Sequence, residues 1–368
     1  MSHAKRAGIL MVVLSAIASA NGSARVGAWA ETPIAPSTNT LNMIGASDDG
    51  EVWVTAQDAD QLKILLGMGG VETVALPAGS QPHTITFSPD GSYAYVANLG
   101  NGDLIVVRSE DRQIVATLDL GATFTHHAKA SPNGSIVLSA NPVTGMLTKI
   151  AADEESETWT PVASLDVLAA TGQGPVCVTY RADGARAYIS LFGSAGGIAS
   201  VDVATMTVLA RWPTIGSVSG CGTANSNDGR TIFFDSSGGT GHFYRLDTAT
   251  DTLTEDTTFG PIGMNLHGLV TTANEKYVYI AAIGTDEVKV LDLNGSHVST
   301  ISLDVRPGIR DAPEDMARRG SNVYVTVRFA GQVARIKTQS GTVEYIDLVP
   351  PSTPSNTSYP VHGIAVRP

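Results

Sequence analysis

Few residues in this chain carry charge, and this scarcity excludes some partners. Only 16% of the 368 residues are Asp, Glu, Lys or Arg, and the formal net charge is −12. No run of Lys and Arg exceeds two residues, whereas a nucleic-acid groove or a site for an anionic membrane surface requires clustered positive charge. We therefore expect no nucleic-acid partner.

Familiar catalytic motifs and long apolar runs are also missing. The sequence contains no His-Glu-x-x-His, no Cys-x-x-Cys, no Walker loop and no Gly-x-Ser-x-Gly turn, which mark zinc, thiol redox, nucleotide and serine hydrolase sites. Beyond the N-terminus, no apolar run approaches the roughly 20 residues that a membrane-spanning helix needs. We therefore expect no membrane insertion of the mature chain.

The N-terminus is typical of an export signal. Lys5 and Arg6 precede the apolar stretch 9–18, and Ala18-Ser19-Ala20 and Ala28-Trp29-Ala30 are candidate cleavage sites. The sequence predicts a signal peptide over residues 1–30, cut near residue 20 or 30, and one mature domain over 31–368 that is secreted or periplasmic. An uncleaved anchor is the alternative.

Glycine is abundant, with 38 copies. It occurs in the turns of a sequence repeat that is clearest between Pro82 and Gly121. This segment contains four apolar runs of strand length, separated by turn residues such as Ser88-Pro89-Asp90-Gly91. Four short strands joined by tight turns form an antiparallel sheet with two apolar faces. Such a sheet needs a copy of itself on each side.

Copies of this unit follow one another along the chain, and they open 41 to 50 residues apart. The opening residues are Asn42, His83, His126, Val176, Cys221, His267, Glu314 and His362. This period and strand number predict an all-β, seven-bladed β-propeller of four-stranded antiparallel blades. The last opening predicts a lone C-terminal strand that closes the ring in the first blade. Eight blades, one of them incomplete, are the alternative.

The segment 88–121 resembles the YVTN-type β-propeller repeat. Tyr95-Val96-Ala97-Asn98 occupies the position of the Tyr-Val-x-Asn-like strand of that repeat. Val278-Tyr279-Ile280-Ala281 and Val323-Tyr324-Val325-Thr326 are weaker copies. The resemblance implies a propeller over nearly the whole mature chain. The family includes surface proteins, periplasmic binding proteins and propellers with metal or cofactor sites, so the resemblance implies no single function.

Histidine is concentrated at one phase of the repeat. His83, His126, His267 and His362 each open an innermost strand, and Glu314 opens another. Because innermost strands line the central channel of a propeller, these side chains are expected to meet at its mouth. Imidazole and carboxylate groups bind Fe, Cu, Zn or Mn, and imidazole also serves as a general acid or base.

We therefore predict an exported propeller that binds a metal or small ligand through these five residues. One alternative is a metal-dependent enzyme, an oxidoreductase or lyase, that uses the same residues. Another is a scaffold for a protein partner, in which the histidines are an inherited polar lining. A monomer is expected.

Other candidate residues adjoin this ring. His127 and Asp315 are expected behind the ligands or facing solvent. Arg310 and Arg318 belong to an arginine-rich loop that either binds a carboxylate or phosphate group or pairs with nearby Asp residues. Cys177 and Cys221 fall on adjacent innermost strands, which predicts a disulfide across two blades. Free thiols that bind copper are the alternative.

Overall fold

Short strands joined by tight turns dominate the fold. A computed structural model describes residues 50–67, 69–121, 123–193, 196–214, 221–237, 240–295, 297–303, 311–349 and 360–368. In these residues, seven four-stranded antiparallel sheets form the blades of a β-propeller, as predicted. The expected signal peptide, its cleavage sites and Asn42 lie outside the described residues.

Each blade has four strands, in order from the axis to the rim. Blade 1 contains β28 (Ile364–Val366), β1 (Val52–Ala56), β2 (Gln61–Leu65) and β3 (Val71–Ala75). Blade 2 contains β4 (Pro82–Phe87), β5 (Tyr93–Asn98), β6 (Leu104–Arg108) and β7 (Ile114–Leu118). Blade 3 contains β8 (His127–Ala130), β9 (Ile136–Asn141), β10 (Met146–Asp153) and β11 (Thr158–Asp166). Blade 4 contains β12 (Gly174–Tyr180), β13 (Arg186–Phe192), β14 (Ile198–Asp202) and β15 (Thr207–Trp212).

The remaining blades follow the same order. Blade 5 contains β16 (Thr223–Asn225), β17 (Thr231–Ser236), β18 (His242–Asp247) and β19 (Thr252–Glu255). Blade 6 contains β20 (Leu266–Thr271), β21 (Tyr277–Ala282), β22 (Glu287–Asp292) and β23 (Val298–Ser302). Blade 7 contains β24 (Pro313–Arg319), β25 (Asn322–Val327), β26 (Gln332–Lys337) and β27 (Val343–Asp347).

Helical structure is slight in the described residues. A 3₁₀ turn covers Gln57–Ala59, and one short helix, α1, covers Val167–Thr171 between β11 and β12. No helix there is long and apolar enough to span a membrane.

The C-terminal strand closes the ring. β28 pairs antiparallel with β1, with Val52 opposite Val366 and Val54 opposite Ile364. It thereby takes the innermost position of blade 1 and joins the two ends of the described chain in one sheet. This confirms the predicted closure, and it covers a strand edge that would otherwise be unpaired.

Apolar side chains between the blades make up the core. Between blades 1 and 2, Trp53 and Ile64 pack with Phe87 and Val96, and the rings of Trp53 and Phe87 have centroids 5.4 Å apart. Burial of each large apolar side chain contributes roughly 1.5–3 kcal/mol. Because each blade buries its apolar faces against its neighbours, a single blade would leave its apolar side chains exposed to solvent.

Glycine permits close contact between innermost strands. Gly222, Gly268 and Gly363 each follow an opening residue. A Cβ atom at Gly363 would lie 2.4 Å from the carbonyl oxygen of His83 in the next blade. At Gly222 and Gly268, the corresponding distances to the carbonyl oxygens of His267 and Glu314 are both 2.5 Å. The dipeptides Cys-Gly and His-Gly therefore mark contacts between innermost strands.

We expect Gly363→Ala to destabilise the protein by roughly 1–3 kcal/mol, because the added methyl group would overlap backbone of blade 2. Urea unfolding followed by circular dichroism measures this change. Gly295→Ala is the control, since a Cβ atom there would make only ordinary contacts, the nearest at 3.7 Å. Equal stability of the two variants would contradict the proposed crowding.

Candidate functional site

The fold brings five predicted ligands to one end of the propeller axis. His83, His267 and Glu314 lie at the starts of β4, β20 and β24, His126 directly precedes β8, and His362 stands two residues before β28. These innermost strands belong to five different blades. We call the five side chains the axial cluster.

Irregular strand pairing shapes the positions of the axial cluster. In blade 2, Pro82 pairs with Asn98 but Thr84 pairs with Ala97, so His83 is an extra residue in its strand. Comparable register shifts occur at Pro175/Val178, Leu266/Leu269 and Pro313/Met316 in blades 4, 6 and 7. Such bulges bend a strand and re-aim the side chain. His267 and Glu314 lie within two of them.

Threonine hydroxyls hold the backbone of three of the histidines. Each hydroxyl belongs to a neighbouring blade and donates a hydrogen bond to the carbonyl oxygen of the histidine. The three bonds are Thr55 to His83 (2.9 Å), Thr84 to His126 (2.7 Å) and Thr326 to His362 (2.7 Å). These hydrogen bonds fix the backbone of the three histidines relative to the neighbouring blades.

His83 and His126 form the first donor pair. The Nδ1 atom of His83 lies 3.0 Å from Oε1 of Gln57. An amide oxygen only accepts hydrogen bonds, so Nδ1 of His83 carries the proton and Nε2 presents a lone pair. That Nε2 atom lies 3.2 Å from Nε2 of His126.

His362 and Glu314 form the second donor pair. Nδ1 of His362 donates to the backbone carbonyl of His83 at 3.1 Å, which leaves Nε2 of the neutral ring as an acceptor. That Nε2 atom lies 3.3 Å from Oε2 of Glu314. The other oxygen, Oε1, accepts a hydrogen bond from Nη1 of Arg328 at 3.0 Å. Oε2 is buried and makes no hydrogen bond of normal geometry.

Ring contacts connect the two donor pairs. The rings of His83 and His362 are stacked, with centroids 3.6 Å apart. The ring of His267 meets that of His362 edge to face at 5.6 Å. Nδ1 of His267 is buried without a hydrogen-bond partner. The axial cluster is therefore one continuous group of side chains.

Burial favours neutral imidazoles in the axial cluster. His83, His126 and His362 are between 2% and 8% exposed. Loss of hydration lowers the pKa of His126 and of His362 to about 3, and it lowers the pKa of His267 to about 4. Burial also lowers the pKa of His83 well below its usual value, and the nearby His362 lowers it further. At neutral pH these rings are uncharged nitrogen donors.

The donor atoms of the axial cluster do not surround a single point. Among the described residues, one group of His, Cys, Asp or Glu side chains has three ligand atoms within 4.8 Å of one another, and it consists of His126, Cys177 and Cys221. The two sulfurs are joined in a disulfide with Cα atoms 5.3 Å apart, as predicted. The axial cluster instead contains two close pairs of donor atoms, one between His83 and His126 and one between His362 and Glu314.

A cavity of about 530 Å³ lies along the innermost strands, and three predicted neighbours of the ring line it: His127, Asp315 and Arg318. The amide of Val178 donates to Nδ1 of His127 at 3.3 Å. Burial raises the pKa of Asp315 to about 7, although two backbone hydrogen bonds oppose the shift. Lys129 also lines this axial cavity. Arg310 lies outside the described residues.

Two polar residues at the axial cluster were missed by the sequence analysis. Gln57 directly follows β1 and Arg328 directly follows β25, so both occupy the position after the second strand of a blade. They contact His83 and Glu314, respectively. A comparison of this position across the repeats, in addition to the opening position, would have shown both.

A third missed residue is Asp235, near the end of β17. It is 1% exposed, and neither carboxylate oxygen has a hydrogen-bond partner. Burial raises the pKa of Asp235 well above its usual value, which favours the neutral acid in the folded protein. Its position after two phenylalanines in an apolar strand is the sequence signal.

Comparisons with known protein structures support the β-propeller fold. No protein-family model and no curated protein matches the chain. Hydrazine synthase of Kuenenia stuttgartiensis is similar in structure, with 18% identity, a TM-score of 0.61, and coverage of 71% of this chain and 78% of that one. A streptogramin B lyase matches with 16% identity and a TM-score of 0.62, over 76% of this chain and 88% of the lyase.

A dihydro-heme d1 dehydrogenase, solved in complex with DHE, is a third similar structure. It matches with 16% identity and a TM-score of 0.56, over 90% of this chain and 77% of the dehydrogenase. At these identities the likeness shows the β-propeller fold alone.

We expect Asp235→Asn to be more stable than the unchanged protein at pH 7, by roughly 1–3 kcal/mol. Above about pH 4 the unfolded chain ionises this acid, whereas the folded protein keeps it protonated. Rising pH therefore favours unfolding of the unchanged protein, and the amide removes this effect. Urea unfolding at several pH values measures the difference, which should shrink toward pH 4.

Asp58→Asn is the control for this comparison, because Asp58 is exposed. A stability difference for Asp235→Asn that stays constant from pH 4 to pH 7 would show that ionisation is not its cause.

Proposed function

We propose that this chain is an exported β-propeller that binds transition-metal ions through the axial cluster. The observation that carries the proposal is the second donor pair. Nε2 of His362 and Oε2 of Glu314 lie 3.3 Å apart. With Nδ1 of His362 donating elsewhere, both facing atoms are acceptors. Two buried acceptors at this distance repel each other unless a proton or a metal ion lies between them.

The spacing within each donor pair suits two ligands of one ion. Metal–nitrogen and metal–oxygen bonds of about 2.0–2.2 Å place two tetrahedral ligand atoms roughly 3.3–3.6 Å apart. Nε2 of His83 and Nε2 of His126 are 3.2 Å apart, close to this spacing. His83 and His126 would hold an ion at one side of the axial cluster, and His362 and Glu314 would hold one at the other.

Hydrogen bonds behind the ligands support the same proposal. Metal-binding imidazoles usually donate their second N–H to a carbonyl or carboxylate oxygen, which fixes the ring and its tautomer. His83 donates to Gln57 and His362 donates to a backbone carbonyl. Neutral imidazoles with one carboxylate favour Fe, Cu, Zn or Mn over Ca.

Catalysis beside the axial cluster is a second candidate function, and the axial cavity, which is lined by residues that follow cluster residues in sequence, favours it. Its volume of about 530 Å³ falls within the range of small-molecule sites. Asp315 and His127 line this cavity and directly follow Glu314 and His126 in sequence. The class of reaction would be a metal-dependent oxidation or a lyase reaction.

Membership of the YVTN-type repeat family and export belong to this proposal as well. The Tyr95-Val96-Ala97-Asn98 segment, which lies in β5, supports the family. The disulfide between Cys177 and Cys221 supports an oxidising compartment. A monomer whose ligand is a small molecule or a metal is the simplest form of the proposal.

We expect the double variant His83→Ala, His362→Ala to lose metal binding while it keeps its fold, because it removes one ligand from each donor pair. Protein prepared without a histidine tag is stripped with a chelator and titrated with Cu(II), Zn(II), Fe(II) and Mn(II) by calorimetry. His242→Ala is the control, since His242 lies in the outer strand β18. Full metal occupancy in the double variant would place the site elsewhere.

We expect Gln57→Leu to weaken metal binding about 10-fold to 100-fold, the usual effect of removing a hydrogen bond behind a ligand. The same calorimetric titration measures the affinity. Gln113→Leu, at an exposed position, is the matched control. An unchanged affinity in Gln57→Leu would mean that His83 is not a ligand.

A further inference from the structure

The disulfide adjoins the axial cluster on the side of His126. Nδ1 of His126 lies 3.9 Å from Sγ of Cys177. This nitrogen and the two sulfurs all lie within 4.8 Å of one another. The other ring nitrogen, Nε2, faces His83. His126 therefore stands between the first donor pair and the two sulfurs.

The disulfide is accessible from the axial cavity. Cys177 is buried at 1% exposure, but Cys221 is only partly buried and lines the cavity. Thiol–disulfide exchange requires a thiolate to reach one sulfur of the bond. The cavity supplies a path to Cys221.

We propose that reduction of the Cys177–Cys221 disulfide creates a second metal site, formed by both thiolates and Nδ1 of His126. A dithiol reductant supplies the two electrons. The S–S bond breaks, the reductant leaves as its own disulfide, and the protein sulfurs become thiols. A thiophilic ion, Cu(I) or Zn(II), then displaces the two thiol protons and binds both sulfurs.

The positions of the three donors suit this site. Bonds of about 2.3 Å to sulfur and 2.0–2.1 Å to nitrogen place tetrahedral ligand atoms roughly 3.4–3.8 Å apart. The present separations do not exceed 4.8 Å. Once the S–S bond is broken, side-chain rotation is enough to adjust them, and the strands need not move.

His126 connects this second site to the function proposed above. A neutral imidazole has one lone pair, so a metal at Nδ1 leaves the proton on Nε2. That N–H would then donate to Nε2 of His83, which lies 3.2 Å away. Reduction would thus withdraw His126 from the first donor pair. This competition depends on the proposed function, whereas the thiolate site does not.

Cobalt spectroscopy tests the thiolate site directly. The full mature protein is reduced with a water-soluble phosphine, which becomes a phosphine oxide with water as its oxygen source. The phosphine is removed under argon and Co(II) is added. We expect a thiolate-to-cobalt charge-transfer band at one equivalent of Co(II). The band should be absent from oxidised protein, from Cys221→Ser and from His126→Ala, and present in His242→Ala, whose histidine lies in the outer strand β18.

The inference would be overturned by no band after reduction, by an equal band before reduction, or by a full band in His126→Ala. Unfolding of the double variant Cys177→Ser, Cys221→Ser, seen by circular dichroism, would also overturn it, since the reduced protein would then have no site. If oxidised protein binds no metal but the band appears after reduction, the proposed function fails and this inference stands.

Discussion

Pairing of β28 with β1 is the interaction on which the rest of the structure depends. Each blade buries its apolar faces against its neighbours, so the packing is complete only when the ring is closed. The same strand pairing carries His362 to the axis, where its carbonyl accepts from Thr326 of blade 7 and its ring stacks on His83 of blade 2. Closure of the fold and assembly of the axial cluster are thus one event.

The axial cluster is costly for the fold. Four nearly buried polar side chains, with exposures of 2% to 8%, meet where blade cores would otherwise be apolar: His83, His126, Glu314 and His362. Their desolvation is only partly offset, because Oε2 of Glu314 has no hydrogen-bond partner. Bulges, threonine hydroxyls and close glycine contacts nevertheless hold the cluster in place. Local features that break the ordinary rules of a strand and are held by their surroundings are typical of functional sites.

One geometric relation explains both the disulfide and the glycines. The residue after an opening position contacts the opening residue of the next blade, as Gly363 contacts His83 and Gly268 contacts Glu314. Cys177 follows the opening residue Val176, and Cys221 opens the next blade. The apparent one-residue offset between the two cysteines is therefore what allows them to bond.

The sequence alone determined the propeller fold, the closing strand and the phase at which histidines recur, because these follow from the repeat period and from residue types at equivalent positions. The tertiary structure decided between seven and eight blades and between a disulfide and free thiols. Tertiary structure alone decided which nitrogen of His83 and of His362 donates a hydrogen bond, that Gln57 and Arg328 join the axial cluster, and that the donors face each other in pairs. These features depend on bulges and on contacts between blades, such as Nδ1 of His362 with the carbonyl of His83. The spacing of repeats along the sequence gives no information about these contacts between blades.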